Sequence, residues 1–133
     1  MIAKYRQYFA YFVSEPDGGQ SEAINKGLRK ATGEMVAWLN SDDYYLPGVF
    51  RKIAEVYGRN PNASFYFGNG LRVDSKGIKS RFFESETVDF NREGLLYGLN
   101  YILQPAVFIN ARYLKKVNFL DEKLHYGMDR IYG

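Results

Sequence analysis

Asp42 and Asp43 stand side by side at the end of a solid apolar run, in "EMVAWLNSDDYYLPGVF". Adjacent carboxylates repel unless a cation or hydrogen-bond donors compensate. A hard divalent ion does this with oxygen ligands, and Mg²⁺ or Mn²⁺ typically takes one or two carboxylates together with substrate phosphates. The plainer role is helix capping, for which Asn, Ser and Asp are favoured. Pro47, however, fits the first position of the helix that follows. That places the cap near Leu46 and leaves both acids too early in the chain to serve it.

"SEPDGGQSEAINKG", residues 14–27, is the second group with chemical potential. It reads as a turn entering a helix, with glycines supplying unusual backbone angles. It reads equally as a nucleotide-contacting loop, in which Glu15 and Asp17 accept from base or ribose groups and the helix start faces phosphate. Lys26 is then either a phosphate contact or a solvated helix lysine. Neither a Walker loop nor G-x-G-x-x-G is present. The third group is "HYGMDRIYG", where the sole histidine, His125, precedes Asp129 by one helical turn's worth of chain. Such a pair is a surface feature or half of an acid/base site.

These residues need elements to hold them. Tyr8–Val13 reads as a buried strand, stopped by the turn cluster at 14–19. A helix is expected from Ser21 to Ala31, with Ala23, Ile24, Gly27, Leu28 and Ala31 on its inner face and Gly33 as its stop. Met35–Leu39 reads as a strand covered on both faces. A second helix follows Pro47, with a stripe of Val49, Phe50, Ile53, Val56 and Tyr57, and ends at Gly58. Ser64–Gly68 is the next strand. Residues 71–73 and 78–83 form a hairpin around Asp74–Gly77. Asp89 caps a short helix through Leu96, and a strand at 106–109 leads into a helix at 111–117. Alternating strands and helices predict an α/β fold with right-handed crossovers and a mostly parallel sheet. In such sheets ligands bind at the carboxyl ends of the strands. Glu15 and Asp17 follow one such end, and Asn40 to Asp43 follow the next.

Composition narrows the classes. The 133 residues suit one domain, and 46% hydrophobic with 25% charged residues is ordinary globular content. Absent cysteine excludes disulfides and thiolate chemistry, and fits a reducing compartment. A net charge of +3 with only scattered basic pairs gives no nucleic-acid stripe. No secretory leader and no membrane-spanning run are expected, while peripheral membrane association stays open. With 12 Tyr and 10 Phe, aromatic residues serve the core and could also face a sugar. Tyr44 and Tyr45 are the candidate platforms, and Trp38 is read as core.

The ordered string from Ser14 to Gly48 resembles the signature region of family 2 glycosyltransferases. The likeness continues through "GNGLRVDSKG" to "LQPAVFINARYLKKVNFLDEKLHYGMD". The resemblance implies a GT-A, Rossmann-like fold: three α/β/α layers in a single, partial domain over 1–133. The chain would start near the family's third strand and stop before its acceptor-side helix. It implies an inverting enzyme that moves a sugar from a nucleotide-diphosphate donor, a UDP-sugar above all, to the hydroxyl of a glycan or lipid-linked acceptor. On the matching positions, Asp42 and Asp43 contact the donor ribose and a bridging Mn²⁺ or Mg²⁺. Glu15, Asp17, Asn25 and Lys26 lie on the nucleotide side, and Gln104 faces the diphosphate or sugar. Asp129 serves as catalytic base. Asn40, on the donor side, stands where many relatives carry the first acid of the motif, and Arg130-Ile131 departs from the usual residues after that base.

The resemblance further implies cell-surface polysaccharide or glycan synthesis, in the cytoplasm or peripherally at the inner membrane face. A domain missing two strands would expose a sheet edge, so a homodimer is expected. The competing reading is a catalytically inactive sugar-nucleotide or glycan-binding remnant of such an enzyme. A Mg²⁺-dependent phosphohydrolase lacks its supporting Lys and Ser/Thr loops here.

Overall fold

The computed structural model describes residues 2–85, 91–97 and 101–123. Among these residues lie five helices and five strands: α1 Ile2–Tyr5, α2 Gln20–Lys30, β1 Met35–Val36, α3 Val49–Arg59, β2 Phe65–Tyr66, β3 Gly70–Val73, β4 Lys79–Phe83, α4 Arg92–Leu96, β5 Phe108–Asn110 and α5 Ala111–Lys116. Single 3₁₀ turns occupy Arg6–Tyr8 and Gln104–Ala106. None of the described helices is long and apolar enough to cross a membrane.

The central sheet has the order β1-β5-β2, and β5 is antiparallel to both neighbours. β1 and β2 therefore point the same way, joined by a crossover through α3, but they do not pair. The expected mostly parallel sheet is corrected here: every pairing among the described residues is antiparallel. A buried strand's apolar pattern is the same in either direction, so the residues of β5 could not announce its sense. All three of them are buried, as befits the middle position.

Side chains alternate across a strand, and β5 uses both faces. Val36 and Phe65 flank Ile109 in register. That face is sealed by Leu28 of α2 and Leu114 of α5, the latter 2% exposed. On the opposite face, α3 sets Tyr57 edge-on to Tyr66 at 6.2 Å. Helices thus cover both sides of the sheet, as an α/β fold requires.

Several sequence expectations hold. The hairpin β3–β4 forms around Asp74, whose carboxylate accepts from Lys76 N at 2.8 Å and Ile78 N at 2.9 Å, with Gly77 at φ 75°. The short helix expected through Leu96 forms as α4, but its cap is Asn91, which accepts from Gly94 N at 2.9 Å; Asp89, the expected cap, lies outside the described residues. Asn110 caps α5 by accepting from Arg112 N at 3.3 Å.

Others change. Tyr8–Val13 is not a strand: after the 3₁₀ turn the chain runs unpaired, and Tyr8 is 75% exposed. Its rings find local partners instead, Phe9 against Phe12 at 6.1 Å and Tyr11 under Lys30 at 5.4 Å. β-propensity needs a neighbouring strand to express itself. In α2 the buried side chains are Ser21, Asn25 and Leu28, whereas Ala23 and Gly27 are exposed. α3 starts at Val49, with Gly48 at φ 85° as its cap, and passes through Gly58 to Arg59. That moves the helix start still farther from Asp42 and Asp43.

Candidate functional site

β1 delivers the chain to a turn at its carboxyl end, closed by Asp43 N donating to Asn40 O at 3.2 Å. Because β5 runs against β1, the residues that precede β5 lie beside those that follow β1. This places Gln104 next to Asn40. Gln104 Nε2 donates to Trp38 O at 3.0 Å, so its Oε1 turns to Asn40 and accepts from Nδ2 at 3.3 Å. The same Nδ2 faces Asp43 Oδ2 at 3.4 Å. Asn40 Oδ1 in turn accepts from Gln20 Nε2 at 3.4 Å, tying the turn to the first residue of α2. Asn40, Asp43 and Gln104 are therefore brought together. Gln20 joins them and was not singled out in the sequence, although it sits within the quoted loop at the helix start.

Asp42 is exposed and Asp43 half-buried. Beside them Tyr45 packs against Phe50 at 5.2 Å and Phe108 at 5.5 Å. Burial, and then the negative charge of Asp43, push the Tyr45 phenol above its ordinary value, so it stays neutral. Tyr44 keeps 63% of its surface open, and Trp38 packs on the core as expected.

The acids of the 14–27 loop close on the loop itself. Asp17 accepts from Gly19 N at 3.0 Å, and Glu22 accepts from Gly18 N at 2.6 Å. Gly19 takes φ 141°, a conformation that suits glycine. Lys26 Nζ lies 2.9 Å from Glu15 and 3.0 Å from Glu22. Glu15 first, then Glu22, hold the lysine well above its usual range. The Gly18 N–H, followed by Lys26, holds Glu22 below its own. Lys26 is thus matched by two carboxylates, and the N–H groups of Gly18 and Gly19 already have acceptors.

Asn25 faces inward. At 1% exposure, its Nδ2 donates to Leu120 O at 2.9 Å and Glu122 Oε1 at 2.8 Å, and its Oδ1 accepts from Leu120 N at 3.0 Å. The sequence expectation put this residue on the nucleotide; the structure gives its amide to the chain. Asp129 and His125 lie outside the described residues.

Asp42 and Asp43 are the carboxylates that could hold a Mg²⁺ or Mn²⁺, ions that take one or two carboxylates beside phosphate and water oxygens. No cluster of three His or acidic side chains occurs among the described residues, so the protein alone does not form a closed cage.

Helices thus cover both faces of a sheet that carries an acidic turn after the carboxyl end of β1. Residues 1–116 match the family model of glycosyl transferase family 2, and the chain belongs to that family. It is 28% identical to an uncharacterized glycosyltransferase of Rickettsia typhi, over 94% of this chain and 41% of the relative. An uncharacterized glycosyltransferase of Mycobacterium tuberculosis strain H37Rv is 28% identical, over 85% and 42% respectively. The minor teichoic acid biosynthesis protein GgaB of Bacillus subtilis is 26% identical, over 95% and 14%. The chain thus spans about two-fifths of the first two relatives and less of the third.

Proposed function

We propose that this chain binds a nucleotide-diphosphate sugar, a UDP-sugar foremost, at the Asn40–Asp43 turn for inverting transfer to an acceptor hydroxyl. The observation that carries the reading is the amide cluster of Gln20, Asn40 and Gln104. It holds Asp43 in the turn after β1 and leaves Asp42 open beside it. Asp42 and Asp43 would hold Mn²⁺ or Mg²⁺, which as a Lewis acid offsets charge on a leaving diphosphate.

The chain's own groups do the rest. Asn40 orients Asp43, and Gln104 is pinned by Trp38 O beside the bound phosphates. Tyr44 offers an open ring face to a sugar. Glu15 and Asp17 border the nucleotide, and Lys26 reaches phosphate by exchanging one of its two carboxylate partners. Asp129 accepts the acceptor's proton as the hydroxyl attacks the anomeric carbon from the face opposite the leaving group. The teichoic acid biosynthesis relative supports a place in cell-surface polysaccharide synthesis; a glycan or lipid-linked acceptor, met on the cytoplasmic side of a membrane, belongs to the same proposal. Self-association into a dimer through an exposed sheet edge belongs to the same reading.

The test is binding of UDP, GDP and dTDP, each with and without Mn²⁺, to this chain and to an Asp42→Asn/Asp43→Asn variant. Metal-dependent binding that the variant loses is the expected result. Equal binding by the variant, or no binding of any nucleotide, overturns the reading. Binding without sugar release from any UDP-sugar would make the chain a sugar-nucleotide-binding module.

A further inference from the structure

We propose that Asn25 is a positioning residue: it fastens the arm after α5 to α2, the same helix that holds the acidic turn. The inference rests on the functional reading above in one respect, that the arm leads to the acceptor-side acid, Asp129.

The arm leaves α5 through an abrupt bend. Asn118 and Phe119 take φ 62° and 68°. Left-handed backbone at a bulky residue such as Phe is disfavoured and persists only where the surroundings impose it. Here the imposing groups come from α2. Asn25 bonds both backbone groups of Leu120, which is 4% exposed. The Arg29 guanidinium covers the Phe119 ring at 5.4 Å and reaches Glu122 at 3.1 Å. Glu122 also accepts from Asn25 at 2.8 Å. Beyond it, Lys123 N donates to Asp121 Oδ1 at 2.9 Å, which fixes the direction of the chain at Lys123.

Asparagine is a poor choice for a helix interior on propensity alone. Its value here is a short amide with both a donor and an acceptor edge, which can pair with a peptide group's C=O and N–H together. α2 meets the acidic turn at Gln20 and the arm at Asn25, so the two contacts are about 7.5 Å apart along the helix axis at 1.5 Å per residue. One rigid helix therefore sets the spacing between the donor end of the site and the start of the acceptor-side segment. Such spacing matters because small misplacements of reacting groups slow a displacement strongly.

The experiment follows amide hydrogen exchange, Mn²⁺-dependent UDP binding and UDP release from UDP-sugars in the full chain and in Asn25→Ala. Protection of the Leu120 amide should fall about tenfold or more, as the net worth of its lost hydrogen bonds implies. Ile109 protection and UDP affinity should stay unchanged, and turnover should drop about tenfold at constant donor KM. Unchanged protection at Leu120 overturns the proposal. So does an equal loss at Leu120 and Ile109, since Asn25 would then hold the whole fold. Turnover that stays at the parental rate while Leu120 loosens overturns it too. Should Asn25→Ala fail to fold, Arg29→Ala and Glu122→Gln remove the exposed half of the clamp and are read at the same amides. A parent chain that binds no UDP strikes the donor reading, while exchange at Leu120 still decides whether Asn25 fixes the arm.

Discussion

Asn25 and Asn40 carry the same side chain into two differently built surroundings. Asn25 is 1% exposed, and its three hydrogen bonds measure 2.8 to 3.0 Å. Asn40 is half-buried, and its three side-chain contacts are 3.3 to 3.4 Å. Both polar atoms of the first amide are engaged by the chain. The second sits among three more polar groups, Gln20, Asp43 and Gln104, at the loose end of hydrogen-bonding distance. A buried amide must be satisfied by its own protein, because nothing else can reach it. A half-open one can tighten onto a ligand, as catalytic hydrogen bonds often do when substrate arrives. The two regions thus differ in build, one closed by the fold and the other half-open at the surface.

The largest effect should come from replacing Asn25 with leucine. Leu120 would keep a buried N–H and C=O without partners, at a cost of about 2–4 kcal/mol. Hydrogen exchange reads this as lost protection at the Leu120 amide, with Ile109 unchanged. Asn40→Leu should cost less than about 1 kcal/mol in the same assay, because water can replace its contacts. A loss at Asn40 equal to that at Asn25 would break the comparison.

For binding the order reverses. Asn40→Ala should weaken Mn²⁺-dependent UDP binding about tenfold by calorimetric titration, since Asp43 loses its orienting donor. Asn25→Ala should leave that affinity unchanged.

A smaller effect follows from pH. The Asn25 amide first, and Arg29 second, hold the Glu122 carboxyl below its ordinary value of 4.5. A carboxylate depressed in the folded state stabilises it above the unfolded pKa, and that contribution fades as pH falls through the folded pKa. The stability gap between the parent and Glu122→Gln should therefore be complete at neutral pH and shrink below 4.5. A gap that widens on acidification would contradict the clamp.

The smallest effect on folding is expected at Tyr44. Tyr44→Ala should change stability by less than about 0.5 kcal/mol, since the ring is exposed. It should weaken a UDP-sugar more than UDP itself, which competition titration would show.

Much of this molecule was legible in its residues. The turn at Asp74 and the two acidic loops depend on neighbours within a few positions, and such local chemistry can be read directly; of the α3 stripe, Val49, Ile53, Val56 and Tyr57 are half-buried while Phe50 stays 65% exposed. The 14–27 loop shows the limit of that reading. Its acids were visible, but not that Asp17 and Glu22 would turn back to Gly19 and Gly18, or that Lys26 would be shared by two carboxylates. The aromatic run at Tyr8–Val13 has strand propensity without a strand beside it, so propensity alone misled. Asn25 was a polar residue in an amphipathic helix, and its partners lie 95 and 97 residues away.

By itself, then, the sequence determined the order of the elements from α2 onward, the acidic turn after β1 and the family resemblance, because each depends on short-range spacing. The tertiary structure alone decided which strand entered the middle of the sheet and in which direction. An antiparallel β5 brings Gln104 to Asn40; a parallel one would have carried it to the opposite edge. Strand sense leaves no mark in an apolar pattern that reads the same both ways, so the meeting of these two amides is a consequence of the fold.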